Sequence, residues 1–365
     1  MAPLMRQLRD TPRIDVRLCA TGQHRHMLDQ VLSLFELVPD IDLGVMRAGQ
    51  DLVGVSTAVM GGLRDVFAEW CPDGVFVHGD TNSAAAAALA AYYHRIAVSH
   101  VEAGLRTGDL LSPWPEEGNR RLIGALAARH YAPTVEARDN LLAENVPHER
   151  IVVTGNTVID ALLSIDARLR ADAELAGDVE RTFPFLDPAR RLLLVTGHRR
   201  ESFGAGFENI CRALVRLAER PDVQVVYPVH LNPAVREPVE RLLGEQRNVH
   251  LIEPLGYLPF VWMMSRSHFI LTDSGGIQEE APALGKPVLV MRATTERPEA
   301  VVAGTVRLVG TDCERIVAEA SRLLDDREHH RRMSRASNPY GSGDACRRIV
   351  ADIGERADRA PNEKT

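Results

Sequence analysis

The stretch Phe269–Val301, FILTDSGGIQEEAPALGKPVLVMRATTERPEAV, decides how the rest of the chain is read. Phe269, Ile270 and Leu271 run as an apolar strand into Thr272-Asp273-Ser274-Gly275-Gly276. An amphipathic segment follows from Ile277 to Leu284, Gly285 stops it, Lys286-Pro287 turns the chain, and Val288–Met291 forms a second buried strand. Two glycines in the turn allow a close backbone approach, just before helix amides that lack internal partners. A helix start of this kind is an anion site, and phosphate is its usual occupant. Glu279 and Glu280 complement the helix dipole and offer acceptors to sugar hydroxyls. Taken alone, the stretch is equally compatible with an ordinary strand-to-helix turn.

The same rhythm extends in both directions. Upstream, Leu192–Thr196, Val223–Val229 and Val249–Ile252 read as strands, separated by helices at Gly206–Ala218 and Pro233–Leu243; Val306–Val309 is the strand downstream. In the first half the pattern gives a strand at Ile14–Cys19 and a helix over residues 51–70. It continues with strand Gly74–Val77, an alanine-rich helix Ser83–Tyr93 and strand Ile96–Ser99. A helix follows from Glu116 to about Arg129, then strand Ile151–Val153. Asn156 caps the next helix, and residues 171–190, charged and with Pro184 and Pro188, read as a linker. Met1–Leu8 is helical, with Leu4, Met5 and Leu8 on one face.

Strands alternating with helices imply parallel sheets covered on both faces. The expected fold is therefore α/β, with two doubly wound Rossmann-like domains and an interdomain cleft. The expected domains are residues 1–168, residues 169–340 and a C-terminal helix, 341–365, returning to the first domain. Ligands of such sheets sit beyond the carboxyl ends of the strands, where the polar clusters of this chain fall.

Composition narrows the function. A chain of 365 residues, 45% of them hydrophobic, is long enough for two cores. A net charge of −7 with both signs interspersed argues against a nucleic-acid partner. Five scattered cysteines without C-x-x-C spacing point to a reducing compartment. No apolar run reaches transmembrane length and no signal peptide opens the sequence. The expectation is a soluble, cytoplasmic protein that needs no membrane. His24-Arg25-His26 and His329-His330 lack the acidic partners of a metal site, and no G-x-G-x-x-G fingerprint is present. No metal or cofactor is expected.

Three carboxylates of the first half, Asp80, Glu102 and Glu116, follow strand ends or open helices. The second half offers His198, the Ser274-Gly275-Gly276 turn and Arg297. Each has an ordinary reading: Asp80 as a helix cap, Glu116 as a dipole partner, His198 as a loop histidine and Arg297 as half of a surface ion pair. Together, carboxylates from one domain facing cationic and amide donors from the other suit a substrate with an acidic C–H at one end and a diphosphate at the other. Three carboxylates in one cleft repel one another, so at least one is expected to hold its proton more tightly and serve as acid or base.

Six ordered motifs then carry a resemblance. His78-Gly-Asp-Thr, His100-Val-Glu-Ala-Gly-Leu-Arg, Ser112-Pro-Trp-Pro-Glu-Glu, Thr196-Gly-His-Arg-Arg-Glu-Ser, Thr272-Asp-Ser-Gly-Gly-Ile-Gln-Glu-Glu and Thr295-Glu-Arg-Pro-Glu resemble the non-hydrolysing bacterial UDP-N-acetylglucosamine 2-epimerases. The similarity runs essentially the whole chain, to Asn338-Pro-Tyr-Gly. It implies the glycosyltransferase-B fold, a homodimer, and interconversion of UDP-GlcNAc and UDP-ManNAc without a cofactor. The product would serve cell-envelope polysaccharides such as enterobacterial common antigen, capsule or teichoic-acid linkage. The implied mechanism is anti elimination of UDP to 2-acetamidoglucal and re-addition with the proton delivered to the opposite face. Asp80, Glu102 and Glu116 match the family's catalytic acids and His198 its essential histidine; Phe260, Ser274, Gly275, Gly276, Glu280 and Arg297 match its nucleotide contacts. Gln23-His24-Arg25 fall where some members bind a second, activating substrate, which would make the kinetics sigmoidal.

Two departures stand out. Leu255 replaces a glutamine that contacts uridine. The family also has a strand and a Gly-Thr-Arg-Pro-Glu-Ala-Ile-Lys loop ahead of Met-Ala-Pro-Leu, so the first strand of the N-terminal domain is missing here, with an active-site arginine and lysine. The expectation is that Met1 is an internal methionine and the natural chain starts upstream. Two alternatives stay open: a glycosyltransferase of the same fold, and a catalytically impaired nucleotide-sugar binder.

Overall fold

Leu192, Leu193, Leu194 and Val195 are all buried, as a strand covered on both faces requires. Phe269–Thr272 is buried in the same way in the computed structural model, which describes residues 1–22, 25–47, 49–199 and 202–359, without the side chains of residues 25–27 and 359. By its contacts the chain divides into two compact units: Met1–Ala161 together with the segment from Tyr340, and Leu162–Pro339. The strands in chain order are β1 (Cys19–Ala20), β2 (Ile41–Asp42), β3 (Gly74–His78), β4 (Ala97–Val101), β5 (Arg129–Ala132) and β6 (Ile151–Val153) in the first unit. The second unit holds β7 (Arg191–Thr196), β8 (Val223–Pro228), β9 (Val249–Ile252), β10 (Phe269–Thr272), β11 (Val288–Val290) and β12 (Val306–Leu308).

In the first unit, among the described residues, a four-stranded parallel sheet runs β3-β4-β5-β6, and β1 pairs with β2 apart from it. One face, through Val77 and Val98, packs on the helices Leu52–Glu69, Asn82–Tyr93 and Glu116–Leu126. The other face, through Phe76, Val101, Tyr131 and Val152, packs on Leu4 and Leu8 of the first helix and on Cys346 and Ile349 of the last. The last helix is tied down by chemistry as well as by apolar contact. Asp160 accepts from the backbone N–H of Cys346 at 2.9 Å, and the Tyr131 hydroxyl donates to Asp352 at 3.0 Å beside an Arg129–Asp352 ion pair. Asn156 accepts from Val158 N at 3.3 Å at the start of the helix Thr157–Ala171.

In the second unit, among the described residues, six parallel strands run β12-β11-β10-β7-β8-β9. The chain winds outward from β7 to β9, returns to place β10 beside β7, and winds outward the other way. The order therefore reverses between β7 and β10, and the loops leaving those two strands open the crevice where doubly wound sheets bind ligands. Gly285, with φ at +68°, ends the helix Gly275–Ala283 in the left-handed conformation that glycine adopts without strain.

Four expectations change. The strand read at Ile14–Cys19 is only Cys19–Ala20, because Asp40 captures Leu18 N with its carboxylate at 2.7 Å instead of continuing a ladder. The helix from Glu116 ends at Leu126, not near Arg129; Arg129–Ala132 is β5, whose polar residues hide a strand. A helix absent from the sequence reading, Val135–Ala143, follows β5, capped by Thr134 at 3.1 Å from Ala137 N. The stretch 171–190, read as linker, contains the helix Ala173–Arg181, capped by Asp172. Among the described residues no helix is long and apolar enough to cross a membrane.

Candidate active site

The carboxyl ends of β3 and β4 place two of the three carboxylates. Thr81, not Asp80, caps the helix Asn82–Tyr93, its hydroxyl accepting from Ala84 N at 3.2 Å. The capping explanation for Asp80 is therefore void. Its carboxylate instead takes the Arg120 guanidinium, Nε at 2.8 Å and Nη2 at 2.7 Å, while its carbonyl accepts from Asn119 Nδ2 at 2.8 Å. Arg120 is itself buried against Glu117, at 3.2 Å, and the fully buried Glu117 also accepts from Thr107 N at 3.1 Å. One helix, Glu116–Leu126, thus carries Glu116, the clamp on Asp80, and the acid that fixes the preceding loop.

Glu102 leaves β4 with φ at +64°, a left-handed conformation that a residue with a Cβ adopts only at a cost. That turn aims its carboxylate at His78, the last residue of β3, with Oε2 3.3 Å from His78 Nε2 and 3.5 Å from Asn156 Nδ2. Two residues on, Gly104 (φ +89°) has no room for a side chain: a Cβ there would lie 2.1 Å from the Ala137 carbonyl. The Glu-Ala-Gly spacing is thus a steric requirement of this turn. Buried His100 anchors the adjacent loop through Nε2, 2.8 Å from the Gly79 carbonyl, and burial pushes its pKa down to about 3. Glu116 differs from the other two acids: its Oε2 is buried without a hydrogen-bond partner. A buried acceptor left unmatched is an oxygen placed to accept a hydrogen bond from a ligand.

In the second unit the switch between β7 and β10 is closed by one carboxylate. Asp273, 2% exposed at its side chain, accepts with Oδ2 from the backbone N–H groups of His198 and Arg199, each at 2.7 Å. Its Oδ1 lies 3.6 Å from His198 Nδ1, while His198 remains 44% exposed and stacks on His230 at 5.3 Å between centroids. The imidazole is thereby held with Nδ1 toward Asp273. Beside it, Ser274 starts the helix Gly275–Ala283 without a side-chain cap, so its hydroxyl does not compete for the first-turn amides. Arg199 and Arg292 converge on Glu296, at 3.3 and 2.6 Å. Desolvation opposes its ionisation, but its own backbone N–H, Arg292 and the charge of Arg297 hold that carboxyl below the usual range.

Glu279 and Glu280 part ways. Glu279 is buried in an ion pair with Arg297, so that arginine is half of a buried pair, not a surface one. Glu280 accepts from the Tyr257 hydroxyl at 3.0 Å; burial, aided by the charge of Glu279, pushes its pKa up to about 7. Tyr257 belongs to the helix Tyr257–Arg266, which also carries partly buried Phe260. Arg200 and Glu201 of the His198 motif, and Gln23 and His24, lie outside the described residues. Among the described residues no group of three metal-ligating side chains is gathered. Sequence reasoning missed Arg120, His78, Asp273 and Tyr257. Only Asp273 had a signal, as the acid between a strand end and a glycine pair.

A doubly wound sheet with an uncapped helix start at its switch point is the architecture of α/β enzymes that handle nucleotides, and carboxylates at the strand ends of a second parallel sheet place this chain in that class. The family model for UDP-N-acetylglucosamine 2-epimerase matches residues 6–354, and the chain belongs to that family. It is 59% identical over 351 residues to the UDP-N-acetylglucosamine 2-epimerases of Salmonella typhimurium and of Escherichia coli K12, covering 96% of this chain and 93% of each relative. The crystal structure of the UDP-GlcNAc 2-epimerase of Neisseria meningitidis, bound to UDP-GlcNAc, superposes with a TM-score of 0.90 at 49% identity, over 97% of this chain and 96% of that one. The fold is the glycosyltransferase-B type, and the chain is an isomerase.

Proposed function

We propose that this chain interconverts UDP-GlcNAc and UDP-ManNAc by breaking and remaking the C2–H and C1–O bonds. A base removes the C2 proton as UDP leaves C1 on the opposite face, giving 2-acetamidoglucal. The reverse step adds UDP to C1 while a proton reaches the other face of C2. Inversion at C2 needs acid–base groups on both faces, and the observation that supports this reading is that three carboxylates of one unit have three different environments. Asp80 is clamped by a guanidinium, Glu102 is aimed by a left-handed turn, and Glu116 presents a buried, unmatched oxygen. Acid–base help of this kind contributes about 10²–10⁴-fold, and enzymes reach 10⁶-fold or more, so stabilising the departing diphosphate supplies the rest.

That second task falls to the Ser274-Gly275-Gly276 amides and to the exposed edge of His198, with Glu280 and Phe260 at the nucleoside end and Arg297 on the phosphate side. The Arg297–Glu279 pair must loosen for Arg297 to reach a phosphate. With Leu255 in place of an amide side chain, uracil is held by backbone groups and the Phe260 ring. The chain acts as a homodimer in the cytoplasm and supplies a cell-envelope polysaccharide such as enterobacterial common antigen. Incubation with UDP-GlcNAc alone in heavy water tests the reaction: deuterium at C2 together with UDP-ManNAc is expected. UDP release without exchange, or no product unless an acceptor is added, would reject it.

A further inference from the structure

At the amino ends of β7 and β10, Arg191, His268, Leu323, Leu324, Asp325 and the helix Arg327–Arg335 enclose a cavity of about 760 Å³. Six residues of extended chain separate His268 from Ser274, about 20 Å at 3.3 Å per residue, so this cavity lies at the other end of the sheet from the nucleotide turn. The helix buries His329 and Met333 and turns Arg327, Arg331 and Arg335 to the cavity, at a spacing of four residues that stacks them on one face. Like charges at that spacing repel. Arg331 has Glu328 at 3.3 Å, but among the described residues neither Arg327 nor Arg335 has an ion-pair partner. The one lining carboxylate, Asp325, is turned to Arg220, at 2.7 and 3.0 Å.

The rest of the lining is fixed in place. Arg191 is held by the Leu324 carbonyl and by Asp222. His330 stacks on His268 at 4.1 Å between centroids and donates Nε2–H to the His268 carbonyl at 2.9 Å, which leaves Nδ1 to accept from Ser334 at 3.3 Å. Burial, and then the neighbouring His330, push the His268 pKa down to about 4, so its ring is neutral at physiological pH.

We infer that this cavity is a second anion site, built for a small molecule bearing two or more phosphate groups. Arg327 and Arg335, eight residues apart on the helix, are about 12 Å apart along the axis, a distance that linked phosphates span and a single phosphate does not. The volume falls in the range of small-molecule sites. The inference is independent of the assignment of the catalytic groups.

The test uses inorganic tripolyphosphate, ATP and inorganic phosphate as probes, titrated calorimetrically into the full chain and into an Arg327→Gln/Arg331→Gln/Arg335→Gln variant. These side chains are exposed, so the variant is expected to fold, and an unchanged melting curve checks that. Tripolyphosphate should bind, more weakly as salt is raised, with at least about tenfold lower affinity in the variant, as expected for three charge-assisted contacts. If ATP binds no more tightly than tripolyphosphate, the ligand is a free oligophosphate; tighter ATP binding makes it a nucleotide. Hydrogen exchange locates the ligand: protection of residues 323–335, lost in the variant, is expected. Protection confined to residues 272–284, equal affinity in the variant, preference for inorganic phosphate, or no binding at millimolar probe would each overturn the inference.

Discussion

Replacing Asp273 tests how the second unit is assembled around His198. The buried carboxylate accepts two backbone N–H groups at 2.7 Å and faces His198 Nδ1 at 3.6 Å. In Asp273→Ala both N–H groups lose their acceptor. At about 1–3 kcal/mol for each buried unsatisfied donor, the loss is about 2–6 kcal/mol. Asp273→Asn keeps an acceptor oxygen of the same size, so weakening two charge-assisted bonds to neutral ones costs about 1–2 kcal/mol and the fold survives. The consequence for activity is larger, because an amide N–H₂ or a neutral oxygen now faces Nδ1 and no longer orients the imidazole beside a departing diphosphate. Where such an aspartate makes a tight hydrogen bond to a catalytic histidine, Asp→Asn costs about 10⁴-fold. The separation here exceeds hydrogen-bond length, so a loss of about 10–10² in kcat is expected, about 1.4–2.7 kcal/mol, with KM little changed. Chromatographic separation of UDP-GlcNAc from UDP-ManNAc reads the rate, and urea unfolding reads the stability. If Asp273 acts through His198, the double variant with His198→Asn is no slower than His198→Asn alone. Multiplying losses in the double variant, or an Asp273→Asn enzyme as fast as the parent, would refute the reasoning. If His198→Asn is itself fully active, the role proposed for His198 fails first.

Three further outcomes follow, two of them from the first unit alone. Glu102→Gly removes a left-handed strain and should raise stability by about 1 kcal/mol in urea while abolishing deuterium exchange at C2; a less stable variant would mean the turn is not strained. Arg120→Met leaves Glu117 buried opposite only a partly exposed Arg121, and breaking a buried pair in this way costs about 3–5 kcal/mol, visible as a lower urea midpoint. On acidification, His100 and His130 have folded pKa values of about 3 and about 4, below the unfolded 6.5, chiefly because both are buried. Their contribution is complete above pH 6.5. It falls as the pH drops from 6.5 toward 4, because the unfolded chain takes up protons that the folded one refuses, at about 1.4 kcal/mol per group per pH unit. Glu280 has the opposite sign: its folded pKa of about 7 lies above the unfolded 4.5, so it stabilises at low pH and loses that contribution as pH rises through 7. Hydrogen exchange at pH 7, 6 and 5 should therefore show β4 and β5 opening before the helix Gly275–Ala283, which carries Glu280. Equal behaviour of these three elements would count against these environments.

The legible parts were local ones. Phe269–Thr272, the glycine pair and Val288–Val290 announce themselves because each is specified by neighbours a few residues away: apolar strand, turn chemistry, helix stop. Arg129–Ala132 did not, because Arg-His-Tyr-Ala has no strand-like pattern. It is a strand because Arg129 and Tyr131 are matched by Asp352, more than two hundred residues on, while His130 is buried. The expected site residues illustrate the same division. That Asp80, Glu102 and Glu116 end strands or begin a helix was readable; that Arg120 clamps Asp80 from 40 residues away was not.

By itself, then, the sequence determined an alternating α/β chain with parallel sheets, the anion-friendly turn after β10 and the family to which six ordered motifs belong. Periodicity and turn propensity act over a few residues, and a motif is a local record of what its backbone must do. Tertiary structure alone decided that Thr81 and not Asp80 caps its helix, that Asp273 gathers the His198 loop from 75 residues away, and that Glu279 is bound to Arg297 while Glu280 faces Tyr257. Hydrogen bonds and ion pairs of that range depend on where folding brings distant segments together, and neighbouring glutamates of identical chemistry differ only in what each is brought to face.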